Sequence, residues 1–264
     1  MITRALTGAA RGFGRASRVF LYLAIGTERL ARFREGVELM WSDPWPAAGD
    51  GGSLFPVERE LFERYIPPRS RVLVIGCGGG RDLLALEALG HTMTGVEPSP
   101  SAMALCEGAL REQGRTATLV RDFFEDARVS GPFDAIVFSY FCYSYIPESA
   151  RRIACLRKAR GLLAPGGRLF VSYVVMGGPH PMLPRLARLS AALTGSDWRV
   201  EPGDAVSLRR EGMPRPCFFL EHVFTGVEIL EELATAGMEV LHHRTAADYP
   251  WIVCAGSSSQ PHHA

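Results

Sequence analysis

The feature that most restricts the fold of this 264-residue chain is a group of four glycines between two apolar segments. Residues 72–75 form a continuous apolar run, as in a strand that is buried on both faces of a sheet. Leucines recur at helical spacing between residues 83 and 89. Glycine adopts a left-handed φ at low cost and lets a ligand approach the backbone. The stretch therefore predicts a strand, a ligand-binding loop and a helix of an α/β sheet.

The loop follows a G-x-G-x-G pattern at Gly76, Gly78 and Gly80. It differs from the dinucleotide pattern G-x-G-x-x-G, because Arg81 stands where that pattern needs its last glycine. The shorter pattern suits a ligand without a pyrophosphate, whose amino-acid end lies along the loop. Close packing of strand and helix without any ligand is the alternative explanation of the glycines.

An acidic residue follows about 20 residues after the loop, which is where nucleoside-binding α/β folds place the acid that binds the ribose. Residues 92–96 predict a second strand, and Glu97 comes directly after it. A carboxylate there can accept hydrogen bonds from both ribose hydroxyls. The alternative is a solvated carboxylate in a turn that is favoured by Pro98 and Pro100.

At this point the sequence resembles the class I S-adenosylmethionine-dependent methyltransferases. VLVIGCGGG resembles their first motif and GVEPS the acidic end of their second strand. LVRDFF resembles their third strand, PFDAIVFS their fourth, and LLAPGGRLFV the turn into their fifth, over about residues 70–255. The resemblance implies an α/β fold with a seven-stranded, mostly parallel Rossmann-like sheet of order 3-2-1-4-5-7-6, whose last strand is antiparallel, with helices on both faces.

The resemblance also implies that S-adenosyl-L-methionine is the cofactor and that Asp122 meets its adenine amino group. The residues that it places at the cofactor are Gly76, Cys77, Gly78, Gly80, Glu97, Pro98, Asp122, Phe123, Ser139 and Tyr140. The chain departs from the family at Val74, where an acid usually helps to hold the amino group of the ligand. Weaker cofactor binding and a substitute carboxylate such as Asp82 are both open.

The segment after the fourth predicted strand, residues 139–147, is unusually aromatic. In the family this segment lies between the sulfonium of the cofactor and the acceptor, and aromatic faces attract a cation. Tyr140, Phe141 and Tyr143 are therefore candidates for the methyl-transfer chamber. Ordinary packing of aromatic side chains at a strand end is the alternative.

His222, His180 and Tyr143 are the candidates for a general base, although either histidine can equally be structural. The expected chemistry is direct S_N2 displacement at the sulfonium methyl, in which the enzyme mainly aligns the nucleophile. Neither the spacing of the six cysteines nor any catechol-type constellation indicates a metal site. The alternatives to a methyltransferase are a methyltransferase-like binding protein without turnover and an aminopropyl transferase.

Three parts of the chain are expected. Residues 1–56 form an N-terminal helical cap and linker, and residues 57–256 form the methyltransferase core, which resumes near residue 217 after a lid insertion at 176–216. Residues 257–264 form a disordered tail. The apolar spacing within the cap predicts one or two amphipathic helices, which cover the cofactor site or form a homodimer surface. Membrane association through its arginines is a lesser alternative.

The net charge of +1 does not favour a nucleic-acid partner. The scattered cysteines indicate reduced thiols in a cytoplasmic protein. The resemblance to the methyltransferases implies that the partner is a small-molecule methyl acceptor, which the sequence does not identify.

Overall fold

The computed structural model describes residues 17–40, 54–175, 182–209, 215–245 and 249–256. Its helices are α1 (residues 17–26), α2 (Leu30–Met40), α3 (Pro56–Tyr65), α4 (Arg81–Ala88), α5 (Pro100–Glu112), α6 (Ser149–Leu162), α7 (Leu183–Thr194) and α8 (Gly226–Thr235), with a 3₁₀ turn at Cys142–Tyr145. Its strands are β1 (Arg71–Ile75), β2 (Thr92–Val96), β3 (Thr118–Val120), β4 (Phe133–Phe138), β5 (Leu163–Ser172), β6 (Asp204–Arg209), β7 (Cys217–His222), β8 (Met238–Arg244) and β9 (Trp251–Gly256).

Seven of these strands form the main sheet, in the order β3-β2-β1-β4-β5-β9-β8. The central strand β1 pairs in parallel with β2 and β4, and β9 runs antiparallel to both β5 and β8. Counted within the sheet, this is the predicted order 3-2-1-4-5-7-6. The labels differ only because β6 and β7 form a separate hairpin. The predicted Rossmann-like fold is confirmed.

Side chains of β1 alternate between two apolar layers. Leu73 and Ile75 belong to the cluster that includes Leu156 of α6 and Ile229 of α8. Val72 and Val74 belong to the opposite cluster, which contains side chains of α3, α4 and α5. Since helices cover both faces, the run at 72–75 is apolar throughout rather than alternating. The arrangement leaves the carboxyl ends of β1, β2 and β4 together at one edge, where sites form in this class of sheet.

A third apolar cluster joins α1, α2 and α7 to the β6–β7 hairpin, and we call these four elements the accessory unit. Its buried members include Tyr22 of α1, Phe33 of α2, Ala187 of α7 and Leu220 of β7. Residues 217–222 pair antiparallel with β6 and not with the main sheet, so the expectation that the core resumes near residue 217 is corrected. A strand has the same apolar sequence pattern whether it packs against the core or against helix α2, so the pattern does not reveal its partner.

The predicted cap helices at 17–26 and Leu30–Met40 are present. Much of the predicted linker, at residues 41–53, lies outside the described residues, and so does the predicted tail at 257–264. The domain boundaries and a homodimer through the N-terminal helices stay predictions. Within the described ranges, none of the helices combines the length and the apolar character that crossing a membrane would need.

Candidate active site

The glycine loop between β1 and α4 has the backbone conformation that its sequence demands. Gly76, Gly78 and Gly80 have φ angles of 69°, 52° and 92°, in the left-handed region that favours glycine. The amides of Gly76 and Cys77 donate hydrogen bonds to the carbonyl of Val96 at 2.8 and 3.2 Å. These bonds tie the loop to the end of β2, so the loop and the residue after β2 are neighbours.

That residue is Glu97, whose side chain is 5% exposed. One carboxylate oxygen accepts a hydrogen bond from the Gly78 amide at 3.0 Å, and the other accepts one from the Ser99 amide at 2.9 Å. Burial raises the pKa of Glu97 from its ordinary value, and the two amide hydrogen bonds oppose that rise. The loop and Glu97 are therefore in direct contact on one side of the sheet.

The loop and Glu97 line a cavity of about 430 Å³, which lies within the roughly 300–1,000 Å³ range of small-molecule sites. Helix α2 closes the cavity from the other side with Leu30, Phe33 and Val37. Arg34 of the same helix lies 4.1 Å over the ring of Phe123. The cavity is thus enclosed between the core and the accessory unit.

Most of the residues predicted at the cofactor line this cavity: Gly76, Cys77, Gly78, Glu97, Pro98, Phe123, Ser139 and Tyr140. Gly80 and Asp122 are not among the lining residues. Gly80 instead precedes the first turn of α4, and the Asp122 carboxylate accepts a hydrogen bond from the Phe123 amide at 2.8 Å. The contacts of these residues with a ligand stay predictions.

Tyr143 is a core residue, and its predicted place in the methyl-transfer chamber is corrected. Its ring is fully buried, and its hydroxyl donates to the Glu232 carboxylate at 2.6 Å. It stacks on Phe224 at 5.6 Å and does not line the cavity. Tyr145, two residues later in the same 3₁₀ turn, faces the cavity instead. Sequence spacing alone does not reveal which way a side chain points in a single short turn.

His222 is also placed away from the cavity. It is fully buried in the accessory hairpin, with Nδ1 2.7 Å from Asp204 Oδ1 and Nε2 3.0 Å from Glu228 Oε1. The Tyr22 hydroxyl donates to the backbone carbonyl of the same Asp204 at 2.7 Å. His222 therefore joins the hairpin to α8, and its predicted role as a base is corrected. His180 lies outside the described residues.

In the described parts of the chain, no group of three or more His, Cys, Asp and Glu side chains is arranged to hold a metal ion.

Comparisons with known proteins agree with this geometry. The profile of a family described as a methyltransferase domain matches residues 73–169. A ubiquinone biosynthesis O-methyltransferase of Xylella fastidiosa (strain 9a5c) is 26% identical over 89% of this chain and 92% of its own length. Thiocyanate methyltransferase 1 of Brassica oleracea is 32% identical over 51% of this chain and 59% of its own.

Among solved structures, an S-adenosylmethionine-dependent methyltransferase of Methanosarcina mazei superposes with a TM-score of 0.59. It is 20% identical and covers 78% of this chain and 99% of its own. This chain carries a methyltransferase domain and has the fold of the S-adenosylmethionine-dependent methyltransferases. The fold, the loop and the relatives agree on that assignment.

The methyltransferase carries Val74 where its family usually has an acid, and this side chain is fully buried in an apolar cluster. Asp82, in the first turn of α4, is 2% exposed and lines the cavity. Ser139 donates a hydrogen bond to Asp82 Oδ2 at 2.5 Å. Desolvation by burial raises the pKa of Asp82 to about 6, helped by the charge of Glu58 and opposed by that of Arg81.

Glu58, which no sequence motif singles out, is fully buried on α3 of the methyltransferase. Both of its oxygens accept hydrogen bonds from the Arg81 guanidinium, at 2.6 and 2.7 Å. The Tyr249 hydroxyl and the Phe55 amide donate to it at 2.5 and 2.8 Å. A glutamate three residues after the start of a helix is a local capping pattern that the sequence can show. Its partners Arg81 and Tyr249 lie 23 and 191 residues away and leave no sequence pattern.

Proposed function

We propose that this methyltransferase transfers the methyl group of S-adenosyl-L-methionine to a small, largely apolar acceptor that is enclosed under the accessory unit. The single observation that carries the proposal is the position of α2. Its Leu30, Phe33 and Val37 line the same cavity as the glycine loop and Glu97. A ligand held by the loop is therefore covered by the accessory unit and shielded from water.

Enclosure fits the chemistry of methyl transfer. When bound, the cofactor supplies a methyl group on a positively charged sulfonium, which the lone pair of an acceptor attacks in line. The leaving group is neutral, so the protein chiefly needs to align the reactants, and positioning can contribute roughly 7 to 11 kcal/mol. A covered cavity also excludes water as a competing partner.

The aromatic segment after β4 supports an acceptor chamber at the end of the cavity nearest β4. Tyr140, Tyr145, Ile146 and Pro147 all line it. Burial raises the pKa of both tyrosines, so their hydroxyls stay neutral. Their rings provide faces that attract a cation, by about 0.5 to 2 kcal/mol. Tyr145 takes the place that was predicted for Tyr143.

The acceptor needs a base only if its nucleophile carries a proton. No histidine of the described residues lines the cavity. His180 is therefore the base that we propose for a protonated acceptor, since it belongs to the segment that leads into α7. The relatives' names specify an oxygen acceptor for one protein and thiocyanate for another, which supports a small acceptor without choosing between oxygen and sulfur.

The proposal is tested by incubating the full chain with S-adenosyl-L-methionine and a panel of phenols, aliphatic thiols and thiocyanate. S-adenosylhomocysteine release and the methylated product are measured by mass spectrometry. We expect turnover with an apolar member of the panel, and slower turnover in the Glu97→Ala variant when the cofactor is not saturating. Binding of the cofactor without product from any small acceptor would contradict the proposed acceptor class.

A further inference from the structure

Three charged side chains, Glu58, Arg81 and Asp82, form a cluster beside the glycine loop, and Arg81 and Asp82 line the cavity. Arg81 directly follows the loop, and its guanidinium is already matched by the two hydrogen bonds to Glu58. Asp82 adds a second carboxylate to the same buried cluster. With all three ionised, the cluster holds one negative charge more than it holds positive charge.

One oxygen of Asp82 has an ion-pair partner but accepts no well-aligned hydrogen bond from the described residues. Ser139 fixes Oδ2, while Oδ1 lies in ion-pair contact with the Arg81 guanidinium. Within the part of the chain that the structure describes, however, Oδ1 is buried and receives no hydrogen bond. A buried acceptor without a well-aligned donor is destabilising, so such groups in folded proteins call for an explanation. Because Asp82 lines the cavity, a cationic donor on the ligand would satisfy it.

We propose that Asp82 binds the α-ammonium group of S-adenosyl-L-methionine, in place of the acid that this chain lacks at Val74, and that Glu58 and Arg81 position it. The inference rests on the proposed function, and it names the residue that recognises the amino-acid end of the ligand. The ammonium provides both the missing hydrogen-bond donor and the missing positive charge. Val74 does neither, because it packs in the apolar layer under α3 and α4.

The positioning roles follow from the contacts. Arg81 lies over the ring of Phe55 at 4.4 Å and is held from below by Glu58. Glu58 in turn is anchored by the Tyr249 hydroxyl and the Phe55 amide. This frame keeps Arg81 against Asp82, so the Asp82 carboxylate stays at the edge of the cavity. The raised pKa of Asp82 agrees with a site from which water and counterions are excluded.

The test compares two ligands that differ only at the amino-acid end. S-adenosylhomocysteine carries the ammonium, and 5′-methylthioadenosine keeps the adenosine and the sulfur without it. Binding of each to the full chain is measured by calorimetry for the wild type, Asp82→Asn and the control Glu87→Gln. Glu87 lies on the same helix, pairs with Arg115 and does not line the cavity.

We expect Asp82→Asn to lower the affinity for S-adenosylhomocysteine about 10- to 100-fold, as for a lost charged hydrogen bond. The affinity for methylthioadenosine should fall less than about threefold. Glu87→Gln should leave both affinities within about twofold of wild type, which is the usual range for a surface pair. Equal loss for both ligands, or no loss for either, would overturn the proposal. If the wild type binds neither ligand, the proposed function itself fails.

A pH series tests the positioning role of Glu58. The affinity of the wild type for S-adenosylhomocysteine should fall about tenfold between pH 7 and pH 5, as Asp82 takes up a proton. Glu97 lines the same cavity and also has a raised pKa, so the Asp82→Asn series is subtracted. Glu58→Gln should move the midpoint to lower pH, since it removes a negative charge beside Asp82. A purely structural role of Glu58 would leave the midpoint where it is. An unmoved midpoint would therefore contradict its positioning role.

Discussion

The carboxylate of Glu97 accepts a hydrogen bond from the backbone amide of Gly78 at 3.0 Å, which joins the end of the second strand to the middle of the glycine loop. Both residues line the cavity. The acid expected at the ribose and the loop expected at the amino-acid end of the ligand therefore share one site.

Replacement of Glu97 by alanine should weaken the binding of S-adenosyl-L-methionine by about 1 to 3 kcal/mol, the scale of a lost charged hydrogen-bond partner. Titration calorimetry on the full chain measures this. Glu97→Gln keeps the shape and one acceptor oxygen, so it should lose less than Glu97→Ala. Unchanged affinity in both variants would show that Glu97 does not contact the ligand.

Gly78→Ala should abolish cofactor binding at a small cost in stability. A Cβ at Gly78 meets no protein atom within 4 Å, Gly78 lines the cavity, and the φ of 52° costs about 1 kcal/mol or somewhat more. Gly90→Ala is a matched control, with a φ of 87° and no atom within 4 Å of the added Cβ, and Gly90 does not line the cavity.

The two glycine variants should therefore lose similar stability by chemical denaturation. Calorimetry should show cofactor binding only in Gly90→Ala. Normal binding by Gly78→Ala would mean that the ligand does not approach this part of the loop.

His222→Gln should lower the free energy of unfolding by about 1 to 3 kcal/mol, because Asp204 and Glu228 lose a buried partner. The turnover of the folded fraction should stay within about threefold of wild type, far from the roughly 10²- to 10⁴-fold effect of a lost base. Once an acceptor is known, kcat and denaturation curves are compared with those of His180→Gln. A large fall in kcat without loss of stability in His222→Gln would restore it as a base.

The pKa of Asp82 makes a separate prediction about ligand-free stability. It is raised to about 6 in the folded protein from an ordinary value of 3.8, so the folded state holds a proton that the unfolded state releases. The stabilising contribution is present below the unfolded value and is lost as the pH rises through the folded value. Between pH 4 and pH 7 the wild type should lose stability relative to Asp82→Asn.

The size of that relative loss is at most about 3 kcal/mol, from two pKa units at 1.36 kcal/mol each. Urea denaturation of both proteins at pH 4.5, 6 and 7.5 measures it. Since Glu58, Arg81 and Ser139 face Asp82 in both proteins, their own contributions largely cancel in the difference. A difference that does not depend on pH would show that Asp82 titrates normally.

The main sheet and the cofactor half of the site could be predicted because their signals are local. A two-sided strand, a glycine loop and an acid about 20 residues later occur in a fixed order along the chain. The left-handed conformations of Gly76 and Gly78 are ones that glycine adopts at low cost. Glu97 follows from the end of a strand. Each of these features is decided within a few residues.

The rest of the site depends on contacts between distant parts of the chain. The partner of Tyr143 is Glu232, 89 residues later, and the partners of His222 are fixed by how the hairpin folds against α8. Glu58 lies on a helix whose sequence looks like an ordinary charged surface helix, and its burial depends on Arg81 and Tyr249. A sequence pattern therefore indicates which titratable side chains are present, but not the direction in which each one points.

Helix α2 contributes Phe33 to the apolar cluster of the accessory unit while its Leu30 and Val37 line the cavity. Lifting this helix by itself would strip Phe33 from Trp198, on which it stacks at 4.8 Å, and expose both rings to solvent. Release of S-adenosylhomocysteine and entry of a new methyl donor would therefore cost least free energy if α2, the β6–β7 hairpin and α7 moved outward together as one rigid body. The rate of such a movement would set an upper limit on the turnover rate of the enzyme.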